Sequence, residues 1–214
     1  MLPDRETLLV IDTATEACSV ALFGDSELIA SDHAVMGRGH AERLVPMIAA
    51  LPDRGRARAI LVNCGPGSFT GVRVGLAAAR ALGLAWGVPV NGYSTHSLVA
   101  AMAFEAHPDA QALDVAMTGG HGEYFVQSFA RDGAALSALG SLPPEAASAA
   151  CVHDLVAGSM AEPLVAARGH GVALTLLPDA RRALLLPARS RGLTADPVYG
   201  RGADAKPMAV QGTG

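Results

Sequence analysis

The sequence predicts an α/β fold built from one layered unit used twice, and three observations predict it. Residues 7–34 alternate apolar and polar side chains in three bursts, with "TATEA" and "GDSE" as the turns between them. Helical periodicity then alternates with short apolar runs as far as about residue 106. Finally, "LDVAMTGGHGEYFVQSF" (113–129) repeats the plan of "LLVIDTATEACSVALF" (8–23): an apolar strand, a small-residue turn and a second strand.

Taken in order, the three bursts read as an antiparallel meander with strands over 7–13, 17–23 and 27–34. "HAERLVPMIAAL" (40–51) reads as a helix with Leu44, Met47, Ile48 and Leu51 on one face and Pro46 tolerated in its second turn. A strand over 58–63 leads into the glycine loop "GPGSFTG" (65–71) and a helix that runs to about Trp86. A short strand over 88–91 and a helix from Thr95 to Ala106 follow, so the first unit begins βββαβα. After Gly140 the pattern weakens through "SLPPEAASAACVHDLVAGSM", where one helix and one strand are expected. This places a first unit over residues 1–106, a second over 107–204, and a frayed tail over 205–214.

A chain of 214 residues can bury a sizeable core. Half of it is hydrophobic and its mean hydropathy is +0.31, which points to apolar surface covered by a partner. The helix after Thr70 carries Arg73 and Arg80, so no membrane span is expected. The start, "MLPDRETLLVID", has no basic segment leading into an apolar one, so no signal peptide is expected. Cys18, Cys64 and Cys151 show no CxxC spacing and suit a reducing, cytoplasmic setting. A net charge of −4 excludes a wholly basic nucleic-acid glove. Fifteen of the sixteen basic residues are Arg and the other is Lys206, so Schiff-base and P-loop-lysine chemistry have almost no candidate.

The glycine loop spaces Gly65, Gly67 and Gly71 as GxGxxxG, neither the dinucleotide GxGxxG nor a P-loop. It reads either as an anion cradle at a helix start or as a tight turn that needs positive φ. In "IDTAT", Asp12 and Thr13 stand where a magnesium–phosphate loop needs a carboxylate and a hydroxyl, although Asp12 equally caps a turn. Asp12, Thr13, Gly65, Gly67 and Ser68 thus form a candidate vestigial nucleotide loop. An ATPase of this kind wants a second acid in its second half, and that position is Met117. The seven histidines (33, 40, 96, 107, 121, 153 and 170) show no HxxxH or HExxH spacing, so no metal site is expected. Ser68 sits in no GxSxG elbow, and His121 and Glu123 read as a solvated turn, so no catalytic residue is assigned. On the helix after the loop, Gly75, Ala79 and Gly83 recur at i, i+4 and i+8, a face that lets a second helix approach closely. The alternative is packing on its own sheet, which Val72, Leu76 and Leu82 must also serve.

"LLVIDTATEACSVALF", "GHAERLVPMI" and "NCGPGSFTGVRVGLAAARALGLAWGVPVNGYST" together resemble the TsaB (YeaZ) family of bacterial threonylcarbamoyladenosine tRNA-modification proteins. The resemblance covers about residues 8–100, with weaker likeness in "GEYFVQSF" (122–129) and "DPVYGRGADAKP" (196–207). It implies a duplicated actin-like fold, related to ribonuclease H, in a non-catalytic scaffold. The implied partners are a TsaD-like threonylcarbamoyltransferase and a TsaE-like ATPase, with a homodimer as the alternative when alone and tRNA contact through the assembled complex. It implies no cofactor on this chain alone, ATP and metal belonging to the partner subunits. The departures are the short connection "PDRGRAR" (52–58) and Met117 in place of the usual Asp. With the resemblance, the helices that begin near His40 and Thr70 become the expected TsaD-binding surface, through His40, Leu44, Met47, Thr70, Arg73, Gly75, Ala79 and Gly83. Two arginine clusters, Arg54, Arg56 and Arg58, and Arg181, Arg182, Arg189 and Arg191, read as solvated loops or as contacts to tRNA phosphate. The rival readings are a free-standing nucleotide-dependent phosphotransferase and a peptidase.

Overall fold

The first 35 residues form β1 (Thr7–Asp12), β2 (Ala17–Gly24) and β3 (Glu27–Val35), paired antiparallel in chain order. The computed structural model describes residues 6–200; what the sequence predicts for the first five residues and for the stretch beyond 200, including Lys206 and the fraying of 205–214, lies outside them. Helix α1 (His40–Ala50) leads to β4 (Ala59–Asn63), and α2 (Phe69–Trp86) leads to β5 (Val90–Tyr93). Both strands add in parallel on the far side of β1, and α3 (Thr95–Ala106) follows.

The second half repeats the plan with β6 (Ala112–Thr118), β7 (Tyr124–Ala130), β8 (Gly140–Leu142), α4 (Pro144–Ala150), β9 (Leu155–Ala157), α5 (Ala161–Arg168) and β10 (Val172–Leu174). Strand order β3-β2-β1-β4-β5 in one sheet matches β8-β7-β6-β9-β10 in the other, with the same parallel and antiparallel partners. The chain therefore has the duplicated actin-like α/β fold.

Each strand of the first sheet sends alternate side chains to opposite faces, and both faces are covered. Leu9, Ile11, Val20, Leu22, Ile60 and Val62 pack against Leu44, Met47 and Ile48 of α1 and Val72, Leu76 and Ala79 of α2. Val10, Ala21, Phe23 and Leu61 pack against Leu98 of α3 and against Ala180, Ala183 and Leu186. This double cover explains why β2 is buried at every position despite its alternating sequence. Its Ser19 is buried with a task, since its Oγ accepts the Ala180 amide at 3.0 Å.

The short strand falls at 90–93 rather than 88–91: Pro89 has no N–H to give a ladder, and its carbonyl accepts the Ile60 amide at 3.0 Å. After β10 the chain crosses back to the first sheet. The 3-10 segment Ala180–Leu185 covers one face, and β11 (Leu193–Thr194) pairs antiparallel with β5 as a sixth strand. Of residues 180–194, placed with the second unit in the sequence division at 107–204, Ala180, Ala183 and Leu186 thus cover the first sheet and Leu193–Thr194 extend it. Among the described residues no helix is long and apolar enough to cross a membrane.

Candidate functional site

Asp12 ends β1, and its carboxylate points inward. It is 1% exposed; Oδ2 accepts from Asn63 Nδ2 at 2.7 Å and from the Tyr93 hydroxyl at 2.6 Å, and Oδ1 accepts from the Ala14 amide at 3.2 Å. Burial pushes its pKa above the usual carboxylate range, and these hydrogen bonds oppose that push. Burial and the neighbouring Asp12 likewise push the Tyr93 phenol well above its ordinary value. Asp12 therefore ties β1, β4 and β5 together, and is not presented to a metal. Sequence reasoning missed its partners Asn63 and Tyr93, and Thr95 behind Asn63. One signal for them was available: Asn63 Oδ1 accepts the Gly65 amide at 2.7 Å, an Asx turn written in "NCG", and also accepts from Thr95 Oγ1 at 2.9 Å.

The glycine loop is the tight turn of the two readings. Gly65 has φ of +94°, which favours glycine. Gly67 and Gly71 lie so close to the Ala14 and Thr13 carbonyls that a Cβ on either would collide with them. The Ser68 amide donates to the Ala14 carbonyl at 2.7 Å, Ser68 Oγ caps α2 by accepting from the Gly71 amide at 3.2 Å, and Thr13 Oγ1 donates to the Gly71 carbonyl at 2.7 Å. The gap in which this loop and the 13–15 turn would hold a phosphate is filled by their own backbones.

A cavity of about 800 Å³ opens beside this junction, between residues 14–16 and 67–69 of the first unit and residues 117–121 and Ser159 of the second. Met117 on its wall is 2% exposed, so no carboxylate faces the cleft from the position that matches Asp12. Phe69, Arg73 and Tyr199 stand at this cleft as well.

The predicted partner face needs correction. Gly75, Ala79 and Gly83 are buried against the chain's own first sheet: a Cβ on Gly75 would collide with Thr13 Oγ1, and one on Gly83 with the Val90 side chain. The small residues are there because helix and sheet approach each other so closely. Leu44 and Met47 are core residues at 1% exposure each, and His40 is buried with its Nε2 donating to the Ala17 carbonyl at 3.3 Å. Of the eight predicted contact residues, Thr70 and Arg73 are exposed. The outward faces carry other side chains: Ala41, Val45, Pro46 and Ala49 on α1, and Ala77, Ala81, Leu84 and Ala85 on α2, with the exposed charges Glu42, Arg43 and Arg80 among them. Val45 is 62% and Leu84 88% exposed, so two neighbouring helices leave large apolar side chains in solvent, with charged residues beside them.

Among the described residues no nucleophile–base pair stands out elsewhere. Burial pushes the Cys18 and Cys64 thiols up to about 11 and Cys151 to about 12, far from thiolates at neutral pH. In the second sheet, buried Asp114 accepts from Ser128 Oγ at 2.6 Å and from the His153 amide at 2.7 Å, with His153 Nδ1 at 2.9 Å. Serine and histidine meet the same carboxylate rather than each other, which is not the order of a hydrolytic triad. Among the described residues no three His, Cys, Asp or Glu side chains converge on a metal-sized point. His121 is exposed on the cleft, while Glu123 Oε2 accepts from Ser141 Oγ at 2.5 Å. Much of the second arginine cluster is matched internally: Arg181 forks onto Asp179, Arg182 pairs with Glu105 and Arg189 with Asp132.

The family model for TsaD, tRNA N6-adenosine threonylcarbamoyltransferase, matches residues 29–142. The tRNA threonylcarbamoyladenosine biosynthesis protein TsaB of Escherichia coli is 37% identical over 130 residues, 58% of this chain and 55% of that protein. The TsaB of Haemophilus influenzae is 42% identical over 106 residues, 47% of this chain and 44% of that protein. The chain thus spans about half the length of the curated relatives it matches. Among solved structures, YeaZ from Pseudomonas aeruginosa is 31% identical with a TM-score of 0.76, covering 91% of this chain and 99% of that one. The ethanolamine utilization protein EutJ from Carboxydothermus hydrogenoformans, at 12% identity, a TM-score of 0.50, and coverage of 87% of this chain and 90% of that one, shares the fold.

Proposed function

This chain belongs to the TsaB (YeaZ) family, and on that premise we propose that it is a non-catalytic scaffold in the synthesis of threonylcarbamoyladenosine on tRNA, docked to a TsaD-like catalytic subunit. The observation that carries this reading is the outward apolar face of α1 and α2, with Val45 and Leu84 left in solvent by the chain itself. The inward, fully bonded Asp12 and the backbone-filled glycine loop support the non-catalytic part, since a phosphotransferase acting alone needs both to face nucleotide. ATP and metal are then held by the TsaD-like and TsaE-like partners in the cytoplasm. Arg54, Arg56 and Arg58 are exposed and form one surface through which the complex would meet tRNA phosphates.

The test is the affinity of the chain for a TsaD-like subunit, with ATP turnover measured on each protein alone. Val45→Glu and Leu84→Glu place a charge in the contact and are expected to weaken association by about tenfold or more, with the melting temperature held. Undiminished affinity in both variants overturns this docking face, and ATP turnover by the isolated chain near one per second, as ordinary enzymes show, overturns the scaffold.

A further inference from the structure

The chain holds five Phe, three Tyr and one Trp, and all but two of these rings are buried or half-buried. The exceptions are Phe69, 59% exposed, and Tyr199, 51% exposed. They come from places 130 residues apart in the chain, yet their ring centroids lie 6.1 Å apart at the cleft. Arg73, one turn along α2 from Phe69, lays its guanidinium 3.5 Å over the Phe69 ring and donates to the Tyr199 hydroxyl at 3.1 Å.

Tyr199 is held there by built structure. Val198 donates its amide to the Cys64 carbonyl at 2.7 Å, and Arg80 reaches the Ala195 carbonyl at 2.6 Å and Asp196 Oδ1 at 2.5 Å. A sparsely aromatic chain therefore fixes two solvent-facing rings and a cation together, at the mouth of an 800 Å³ cavity. Such a platform recognises a flat, electron-rich ring system by stacking and an attached anion by charge. Ser68, Thr118 and Ser159 line the same cavity; Ser68 Oγ accepts the Gly71 amide and Thr118 Oγ1 meets Ser159 Oγ at 3.0 Å, which leaves these hydroxyls capacity for a further bond to the edge of a base.

We propose that the cleft between the two units is a nucleobase-stacking site, with the Tyr199 ring and the Arg73 guanidinium stacked on Phe69 as the platform. The base arrives on a free nucleotide or as an unstacked base of single-stranded RNA. The site does not use the glycine loop as a phosphate cradle, since that gap is filled, and it stands apart from the outward face of α1 and α2.

Calorimetric titration of the full chain with AMP, and separately with an unstructured RNA of about ten nucleotides, tests it. Saturable binding of either probe is expected, weakened about fivefold to a hundredfold in Phe69→Ala and in Tyr199→Ala and retained in Phe69→Trp. Both rings are exposed, so circular dichroism melts of these variants should match the parent. Binding of AMP assigns the site to free nucleotide, and binding of the RNA alone, with the same losses, assigns it to an RNA base. The proposal is overturned if neither probe binds, if both alanine variants bind as the parent does, or if pyrophosphate displaces AMP and adenosine does not.

Discussion

His96 is wholly buried near the start of α3, with Nε2 donating to the Phe125 carbonyl at 3.0 Å, while Nδ1 has no hydrogen-bond partner among the described residues. Burial lowers its pKa from the ordinary 6.5 to about 4, the carbonyl opposing the shift. Between those values the unfolded chain binds a proton that the folded chain refuses, so stability from this group is full above about pH 6.5 and declines as pH falls towards 4. The gap corresponds to roughly 3 kcal/mol at 1.36 kcal/mol per pKa unit. In His96→Gln, the fall in melting temperature between pH 7 and pH 4 should be shallower than in the parent; equal slopes would show that His96 does not carry the acid sensitivity. Asp12 gives a second prediction at this scale. Asp12→Ala leaves Asn63 Nδ2 and the Tyr93 hydroxyl buried without their acceptor, which should cost about 2–5 kcal/mol of stability in a denaturant titration. The sequence showed Asp12 at a strand end but not its orientation, because inward or outward depends on Tyr93, 81 residues away.

Helix α2 separates packing from docking. Gly75→Leu forces a side chain into Thr13 and the sheet beneath, so about 1–3 kcal/mol of stability should be lost, at roughly 2–4 °C per kcal/mol for a chain of this size. The folded fraction should still bind its partner, whereas Leu84→Glu should do the opposite; a Gly75→Leu variant that melts normally would contradict the assigned face. Of the secondary structure, the first unit was legible nearly residue by residue, because its strands alternate and its helices follow turns and carry apolar runs. The orientation of α2 was not. A helix made of Gly, Ala, Leu and Val offers small residues on several sides, and hydrophobicity alone cannot say which side meets the sheet. Phe69 and Tyr199 escaped notice for a related reason: an exposed ring reads as core until its neighbours are known.

At the scale of the whole molecule, the duplicated strand order was legible from one repeated hairpin, whereas the return of 180–194 to the first sheet was not. A two-residue strand such as β11 has no periodicity to detect, and the apolar segment that covers β1, β2 and β4 resembles any second-unit helix. That return has a consequence for synthesis. The N-terminal unit emerges from a ribosome with Val10, Phe23 and Leu61 only partly covered and with β5 as an open edge. Its missing pieces arrive about a hundred residues later, so the half made first finishes folding last. A fragment ending at residue 110 should accordingly bind a hydrophobic dye, melt without a sharp transition and self-associate through the bare edge. Adding residues 177–200 as a separate peptide should restore part of the cooperativity, and a fragment that melts sharply by itself would show that the unit completes its fold during translation without waiting for its lid.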